Sequence, residues 1–340
     1  MYIYRNINWK VVLKFAWLNL ILFTVWNVIV YLIIHNLEHK GLNPHIPFLP
    51  LSTIGIAVAF YVGFKNNSSY DRFWEARKIW GGIVNYSRTW GNQVLSFVTP
   101  HETRSTIDET KIKAIQKDLV YTHIAWINAL RLHLRKPNPN GMKMSKAVKN
   151  SMTIDAPEDN HWKEEVYAFL QGDECKKIYN VINKPTQIIR LQGELLRKQM
   201  HETGLIDDFR HMEMMRVLEE FYNLQGKCER IKNTPFPRQY SYFSKVFTWI
   251  FIILLPFGLL GEFAEMGHTM ELIAIPFGVL ISWIFLTMET VGDSSEDPFE
   301  NFINDVPMTA LCRTIERDLR QMLGETDLPP AVQAKEGILM

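Results

Sequence analysis

Residues 46–77 read IPFLPLSTIGIAVAFYVGFKNNSSYDRFWEAR, an apolar segment that passes directly into a polar one. Residues 46–64 contain no charged side chain, and their number suits one crossing of a bilayer, which takes about 20 residues in a helix. Pro47 and Pro50 stand near the start of the segment, where a helix tolerates proline. No glycine or proline interrupts residues 65–77, so the stretch predicts one helix that runs from the membrane into water.

Two sets of side chains recur every four residues in this segment. The bulky set is Ile56, Phe60 and Phe64, and the small set is Gly55, Ala59 and Gly63. Because residues four apart lie on one face of a helix, each set forms a stripe. The small stripe lets a neighbouring membrane helix come close. The bulky stripe, repeated around an axis, would line an apolar constriction that gates ions by dewetting; contact with lipid or with a partner helix is the alternative.

Three further apolar stretches complete a set of four predicted transmembrane helices. They are residues 11–34, 246–261 and 272–288. The basic residues near the ends of the four spans are Arg5, Lys10, Lys14, Lys65, Arg72, Arg77, Lys78, Arg238 and Lys245, whereas the two short connecting loops hold only Lys40. Since basic residues concentrate on the cytoplasmic side of membrane proteins, we expect both termini and the long middle region to be cytoplasmic.

Composition gives no support for a nucleic-acid-binding protein, a disulfide-rich protein or a cysteine metal site. The chain has 37 Lys and Arg against 36 Asp and Glu, a net charge of +1, which gives no argument for a nucleic-acid partner. Its three cysteines, Cys175, Cys228 and Cys312, are odd in number and far apart. They therefore indicate neither a disulfide framework nor a cysteine metal site.

The chain divides into four predicted regions of an all-α membrane protein. Residues 1–69 hold the first two membrane helices, 70–237 form a helical cytosolic region, 238–290 hold the last two membrane helices, and 291–340 form an acidic cytosolic segment, a helix and a flexible tail. In the cytosolic regions, apolar residues recur at helical spacing over 111–134, 162–200, 207–231 and 308–323. The Pro- and Asn-rich residues 136–157 predict a loop.

Three separated motifs follow one another in an order that fits this topology. They are FYVGFKNN (60–67) with SYDRFWEAR (69–77), QGKCERIKNTPFP (225–237), and EDPFE (296–300) with NDVP (304–307). Together these motifs resemble the bacterial branch of the bestrophin family of ion channels. The resemblance covers most of the chain, and three separated motifs are more specific than any one short pattern.

The resemblance implies an assembly and two constrictions. It implies a homopentamer around one central pore in the bacterial inner membrane, with inorganic ions and the lipid bilayer as its other partners. It implies that the bulky stripe forms the pore neck, and that an apolar residue ahead of the third span forms a second, cytosolic aperture. Phe209 is the candidate for that aperture, with Leu205 and Ile206 as alternatives.

The function implied by the resemblance is a passive channel for chloride and other anions, with no enzymatic activity. Some bacterial relatives prefer cations, so a cation-selective channel of the same fold is the alternative. Lys65 and Arg72, just inside the neck, would favour anions, whereas Glu262 and Glu265 at the outer mouth would enrich cations. A secondary transporter is a third hypothesis, which the lack of an inverted repeat weakens.

Two metal hypotheses concern acidic and histidine residues. Animal members of the family bind calcium with a dense acidic cluster after the last span, and the matching residues here are Glu296, Asp297, Glu300 and Asp305. Because calcium prefers six to eight clustered oxygens, we expect a solvated acidic helix start and no cofactor. His35, Glu38 and His39 fit the H-x-x-E-H pattern of zinc peptidases, so a membrane metalloenzyme is a remote alternative to interfacial histidines that are hydrogen-bonded.

Overall fold

The computed structural model describes residues 1–4, 9–42, 44–99, 108–136, 160–170, 172–335 and 337–340, and these are mainly helical. The helices are α1 (Trp9–His39), α2 (Phe48–Phe97), α3 (Glu109–Leu134), α4 (Asn160–Glu165), α5 (Gly172–Tyr179), α6 (Lys184–Lys198), α7 (Asp208–Asn233), α8 (Arg238–Glu265), α9 (His268–Ser294) and α10 (Met308–Met322). The four cytosolic amphipathic stretches expected from the sequence all lie in or across helices of this set. The predicted loop at 136–157 lies, apart from its first residue, outside the described residues, as do Arg5 and the side chains of Lys10 and Lys14.

Among the described residues, four helices are long and apolar enough to cross a membrane: α1, α2, α8 and α9. The four-span prediction is therefore confirmed at the level of length and composition. The helices containing the last two spans are longer than the apolar stretches alone, because flanking aromatic and polar residues extend them to Arg238–Glu265 and His268–Ser294.

Helix α2 is a single rod of 50 residues. At about 1.5 Å per residue it is roughly 75 Å long, more than twice the thickness of a bilayer's hydrocarbon core, about 30 Å. The expected continuous helix is thus present. The regional boundary drawn at residues 69 and 70 falls inside α2, so the first two predicted regions share one element.

The membrane helices pack around α2 through small residues and one buried amide. The ring of Phe251 on α8 lies against Gly55, where an added Cβ would approach the ring carbon Cε2 to 2.8 Å. On α1, the buried side chain of Asn27 donates from Nδ2 to the carbonyl oxygen of Phe23 at 2.8 Å, beside Gly278 of α9. Asn27 thus faces protein, which is where polar residues in membrane helices usually lie.

The half of α2 that follows Phe64 forms one wall of a large aromatic core. Trp80 and Trp90 of α2, Trp126 of α3 and Phe221 of α7 are all fully buried there. Trp126 also donates from Nε1 to Gln225 Oε1 at 3.1 Å. Because the same rod is anchored in this core and crosses the membrane, its membrane half is held by a rigid base.

The C-terminal tail is attached to the rest of the protein, which corrects the expectation of a flexible tail. Backbone hydrogen bonds join Leu339 N to Met1 O at 2.9 Å, Ile3 N to Gly337 O at 2.9 Å, and Ala310 N to Met340 O at 2.7 Å. Composition after Gly324 gave no sign of this, because the partners lie at the other end of the chain.

The start of the tail is fastened by Glu325, whose titration gives a stability prediction. Burial alone would raise the pKa of Glu325, but hydrogen bonds from Lys117, Tyr121 and Arg320 lower it to about 2. Since its ordinary value is 4.5, this carboxylate contributes stability above about pH 4.5 and loses it as the pH falls towards 2. We expect Glu325→Gln to lower the free energy of unfolding by about 1–2 kcal/mol at pH 7.

Thermal unfolding of the detergent-solubilised protein at pH 7 and pH 3 measures this effect. The difference between the original chain and Glu325→Gln should shrink at pH 3. An equal difference at both pH values would contradict the role assigned to the ionised carboxylate.

Candidate functional site

The bulky stripe of α2 forms an exposed apolar face of that helix. Ile56, Phe60 and Phe64 are 59%, 64% and 64% exposed, whereas Val58 and Val62 on the opposite side are buried. The chain therefore packs one face of α2 into its own core and leaves the other uncovered. The predicted register of the stripe is confirmed, and its covering in the membrane has to come from outside this chain: from lipid, or from other copies around a conduit.

The small stripe is divided between two environments. Gly55 is buried against the chain's own α8, and Ala59 is half-buried. Gly63 is exposed, with no other group within 4 Å of an added Cβ. Within this chain the three residues therefore do not form one packing surface, and Gly63 is the member open to a neighbouring copy.

Below the bulky stripe the same face of α2 continues as a polar surface. At 100° per residue, Asn67, Asp71 and Lys78 lie within about 20° of the direction of Phe60. All three side chains are exposed. Extending the helical register past Phe64 would have found this surface from the sequence. It gives the face below the stripe one acidic and one basic group in each chain.

Lys65 is fully buried, and this corrects the expectation that it supplies an open positive charge. Its Nζ donates to Glu289 Oε1 at 2.6 Å and also to Asp293 Oδ1. Ser244 Oγ donates to the other oxygen of Glu289 at 2.6 Å. Two carboxylates more than offset the ammonium charge, so Lys65 attracts no anion into a conduit.

Arg72 is also occupied within the chain. Its Nε donates to the carbonyl oxygen of Glu296 at 2.9 Å, and its Nη2 donates to that of Ile231 at 2.9 Å. These bonds tie α2 to the end of α7 and to the segment after α9. Arg72 is therefore a connector between three parts of the fold. Its acceptors are neutral carbonyl oxygens, so the expectation that it favours anions stays a prediction.

The four acidic residues after α9 are each engaged separately. Glu296 lies 3.7 Å from Arg238, Asp297 lies 3.9 Å from Arg72, and Glu300 lies 3.0 Å from Lys232. Asp305 is buried and accepts a hydrogen bond from the backbone nitrogen of Phe302 at 3.0 Å.

This arrangement does not fit calcium. Burial raises the pKa values of Glu296 and Asp297, and it raises that of Asp305 to about 8, whereas calcium binds ionised carboxylates. Within the described part of the chain, no three His, Cys, Asp or Glu side chains are grouped to hold a metal. The expected solvated helix start is corrected too, because Glu296 and Asp305 are buried.

Phe209 is 84% exposed in the first turn of α7, whereas Leu205 and Ile206 are buried in the large aromatic core. Burial removes the two alternatives for the cytosolic aperture, because a side chain in the core cannot line a conduit. Met212, one turn further along α7, is also exposed. The role of Phe209 in an aperture stays a prediction that its exposure favours.

The side chains of the histidine motif, at the C-terminal end of α1, form hydrogen bonds. His35 Nε2 lies 3.1 Å from His39 Nε2, and Glu38 Oε1 lies 2.7 Å from Nε2 of His45. Glu38 therefore pairs with a histidine outside the motif. Glu262 and Glu265 at the end of α8 are exposed, and their place at an outer mouth stays a prediction.

Comparison with known proteins gives consistent matches across the chain. The family model described as Bacterial/Fungal Bestrophin protein matches residues 6–321. A voltage-dependent anion channel-forming protein of Ralstonia nicotianae is 29% identical over 290 residues, which cover 85% of this chain and 82% of that protein. A protein of the same description from Salmonella typhi is 30% identical over 282 residues, or 82% of this chain and 78% of that protein. The crystal structure of a bacterial bestrophin homolog from Klebsiella pneumoniae matches with a TM-score of 0.73 and 27% identity, covering 91% of this chain and 98% of that one.

Proposed function

The chain belongs to the family of bacterial and fungal bestrophin proteins, as its motifs predicted, and we propose that it forms an anion channel with Ile56, Phe60 and Phe64 as its neck. The uncovered apolar face of α2 is the observation that carries the proposal. The relatives from Ralstonia nicotianae and Salmonella typhi, themselves named anion channel-forming proteins, support the choice of ion. Family membership points to a channel rather than an enzyme.

In this proposal five copies of the chain surround one axis, and each contributes its α2 to the wall. The neck side chains then form three stacked apolar rings, and such a constriction opposes ion passage by excluding water. Ions move passively down their gradient, without a cofactor. The channel lies in the bacterial inner membrane with both termini in the cytoplasm, which the distribution of basic residues supports.

The neck offers anions a specific contact that does not need a positive charge. The edge of a phenyl ring carries partial positive charge and its face partial negative charge. Phe60 and Phe64 of five copies, with their edges turned to the axis, favour an anion over a cation. Below them, Asp71 and Lys78 contribute equal and opposite charges, so this part of the wall has no net charge.

The reversal potential under a KCl gradient tests the choice of ion. Purified protein in a planar bilayer should give a potential near the chloride equilibrium value. A potential near the potassium value would keep the channel and replace the anion by a cation, which would direct attention to Glu262, Glu265 and Asp71. Absence of current from folded, reconstituted protein would overturn the proposed function.

A substitution of Phe209 tests the proposed cytosolic aperture, with a smaller expected change in flux than at the neck. If five Phe209 rings narrow the path, Phe209→Ala should raise anion flux by about threefold, equivalent to roughly 0.7 kcal/mol of barrier. Ile182→Ala is the matched control, because Ile182 is 95% exposed and lies in the loop before α6. Equal changes in the flux of reconstituted vesicles for both variants would count against an aperture at Phe209.

A further inference from the structure

A buried network of charges joins α2 to α8 and α9 where the helices leave the membrane. Lys65 is 0% exposed, and its two carboxylate partners on α9, Glu289 and Asp293, are 2% and 9% exposed. Two hydroxyls of α8 add to it: Ser244 Oγ donates to Glu289 at 2.6 Å, and Ser241 Oγ lies 3.4 Å from Asp293 Oδ1. All three helices therefore share one set of hydrogen bonds.

The network lies directly behind the neck. Lys65 follows Phe64 in the sequence, and at 100° per residue it points about 140° away from Phe60. The next residue, Asn66, packs against α9 beside Lys65. Its Oδ1 lies so close to Gly292 that a Cβ added there would overlap it. When Lys65 reaches its two partners, Phe60 faces away from α8 and α9.

Apolar contacts constrain α2 on both sides of Lys65: at Gly55, against the ring of Phe251, and in the aromatic core around Trp80. The membrane half of α2 is apolar on every side, and Ile54 and Ala57 are exposed like the bulky stripe. Membrane helices gain no hydrophobic driving force from contact with each other instead of lipid. A lysine behaves differently from these apolar side chains, because placing its charge in an apolar environment costs free energy unless polar groups pair with it. In the observed rotation of α2, Lys65 is completely enclosed.

We infer that Lys65, held by Glu289 and Asp293, fixes the rotation of α2 about its own axis and so determines which face forms the neck. The inference rests on the proposed function, because it concerns the neck of that channel. Lys65 touches no permeating ion and acts through Phe60 and its stripe, so it is a positioning residue. Removing its charge network should therefore change which face of α2 meets the axis, in addition to changing the stability of the protein.

Disulfide cross-linking between copies reports the face that meets the axis. A disulfide needs Cβ atoms about 4 Å apart, so Phe60→Cys should cross-link between copies at a narrow neck. Ile54→Cys, about 120° away on the same helix, should cross-link weakly. Among the native cysteines, Cys228 and Cys312 are buried, and the half-buried Cys175 is replaced by serine in all variants.

The decisive variant combines Lys65→Met, Glu289→Gln and Asp293→Asn, which removes the charges without leaving one unpaired. We expect it to lower the cross-linking ratio of position 60 to position 54 by about tenfold, because several rotations become populated. Lys65→Glu with Glu289→Lys rebuilds an ion pair and should restore most of the ratio. Lys245→Met, which removes an exposed lysine of α8, is the control and should leave the ratio unchanged.

Each outcome has a separate meaning. An unchanged ratio in the assembled triple variant would overturn the inference and leave the channel intact. Weak cross-linking of Phe60→Cys in the otherwise unaltered chain would overturn the neck itself, and with it the proposed function. If the triple variant does not assemble, Asp293→Asn alone serves as the test, since it leaves Lys65 and Glu289 as a balanced pair. That variant should lower the ratio by a smaller factor, and an unchanged ratio would equally refute the positioning role.

Discussion

Replacing both Phe60 and Phe64 by alanine is expected to raise anion flux by about tenfold or more, which corresponds to roughly 1.4 kcal/mol of barrier. Both rings are uncovered by their own chain, so in the assembled channel their removal widens the neck and lets water enter it. A wetted constriction opposes ions far less than a dry one. Chloride efflux from vesicles containing the purified protein measures the change.

The matched control removes an exposed ring from a different membrane helix. Phe277 of α9 is 48% exposed, and Phe277→Ala should leave chloride efflux near that of the original chain. Two results would count against the neck: no change in the double variant, or the same increase in the control. Because the two substituted rings lie on the face of α2 that its own chain leaves uncovered, protein yield and assembly should remain close to normal.

Lys65→Met alone is expected to destabilise the protein by about 3–5 kcal/mol, the usual cost of removing one partner from a buried ion pair. Glu289 and Asp293 would remain buried without their shared cationic partner and would keep the contacts of Ser244 and Ser241. Thermal unfolding in detergent should show a large fall in the midpoint temperature. The corresponding exposed substitution, Lys245→Met, should change the free energy of unfolding by less than about 0.5 kcal/mol.

Adding Glu289→Gln and Asp293→Asn to Lys65→Met should recover most of the lost stability, since no unpaired charge then remains. This recovery separates stability from the orientation of the neck. The triple variant is expected to be stable and to have lost the preferred face of α2. If Lys65→Met by itself unfolds at the same temperature as the original chain, the buried network has no energetic role.

Much of the membrane architecture could be predicted because it depends on residues close together in sequence. An uncharged run of bilayer length predicts a span, and the absence of a helix breaker after Phe64 predicts the continuation of α2. Four-residue spacing predicts that Ile56, Phe60 and Phe64 share a face, and their exposure confirms it. The family also followed from short motifs whose order along the chain is fixed.

The environment of each charge could not be predicted in the same way. Lys65 looked like an open positive charge near a pore, but its partners Glu289 and Asp293 lie 224 and 228 positions further along the chain. Asp305 belonged to an acidic run that suggested a solvated helix start, but folding buries it beside Phe302.

The sequence by itself thus determined the four spans, the register of the bulky stripe and the family. Only the tertiary structure decided which of Phe209, Leu205 and Ile206 is exposed, which small residue of α2 stays open, and which charges are neutralised. The physical reason is that helical periodicity arises from neighbouring residues, whereas burial and ion pairing depend on segments that meet only when the chain folds.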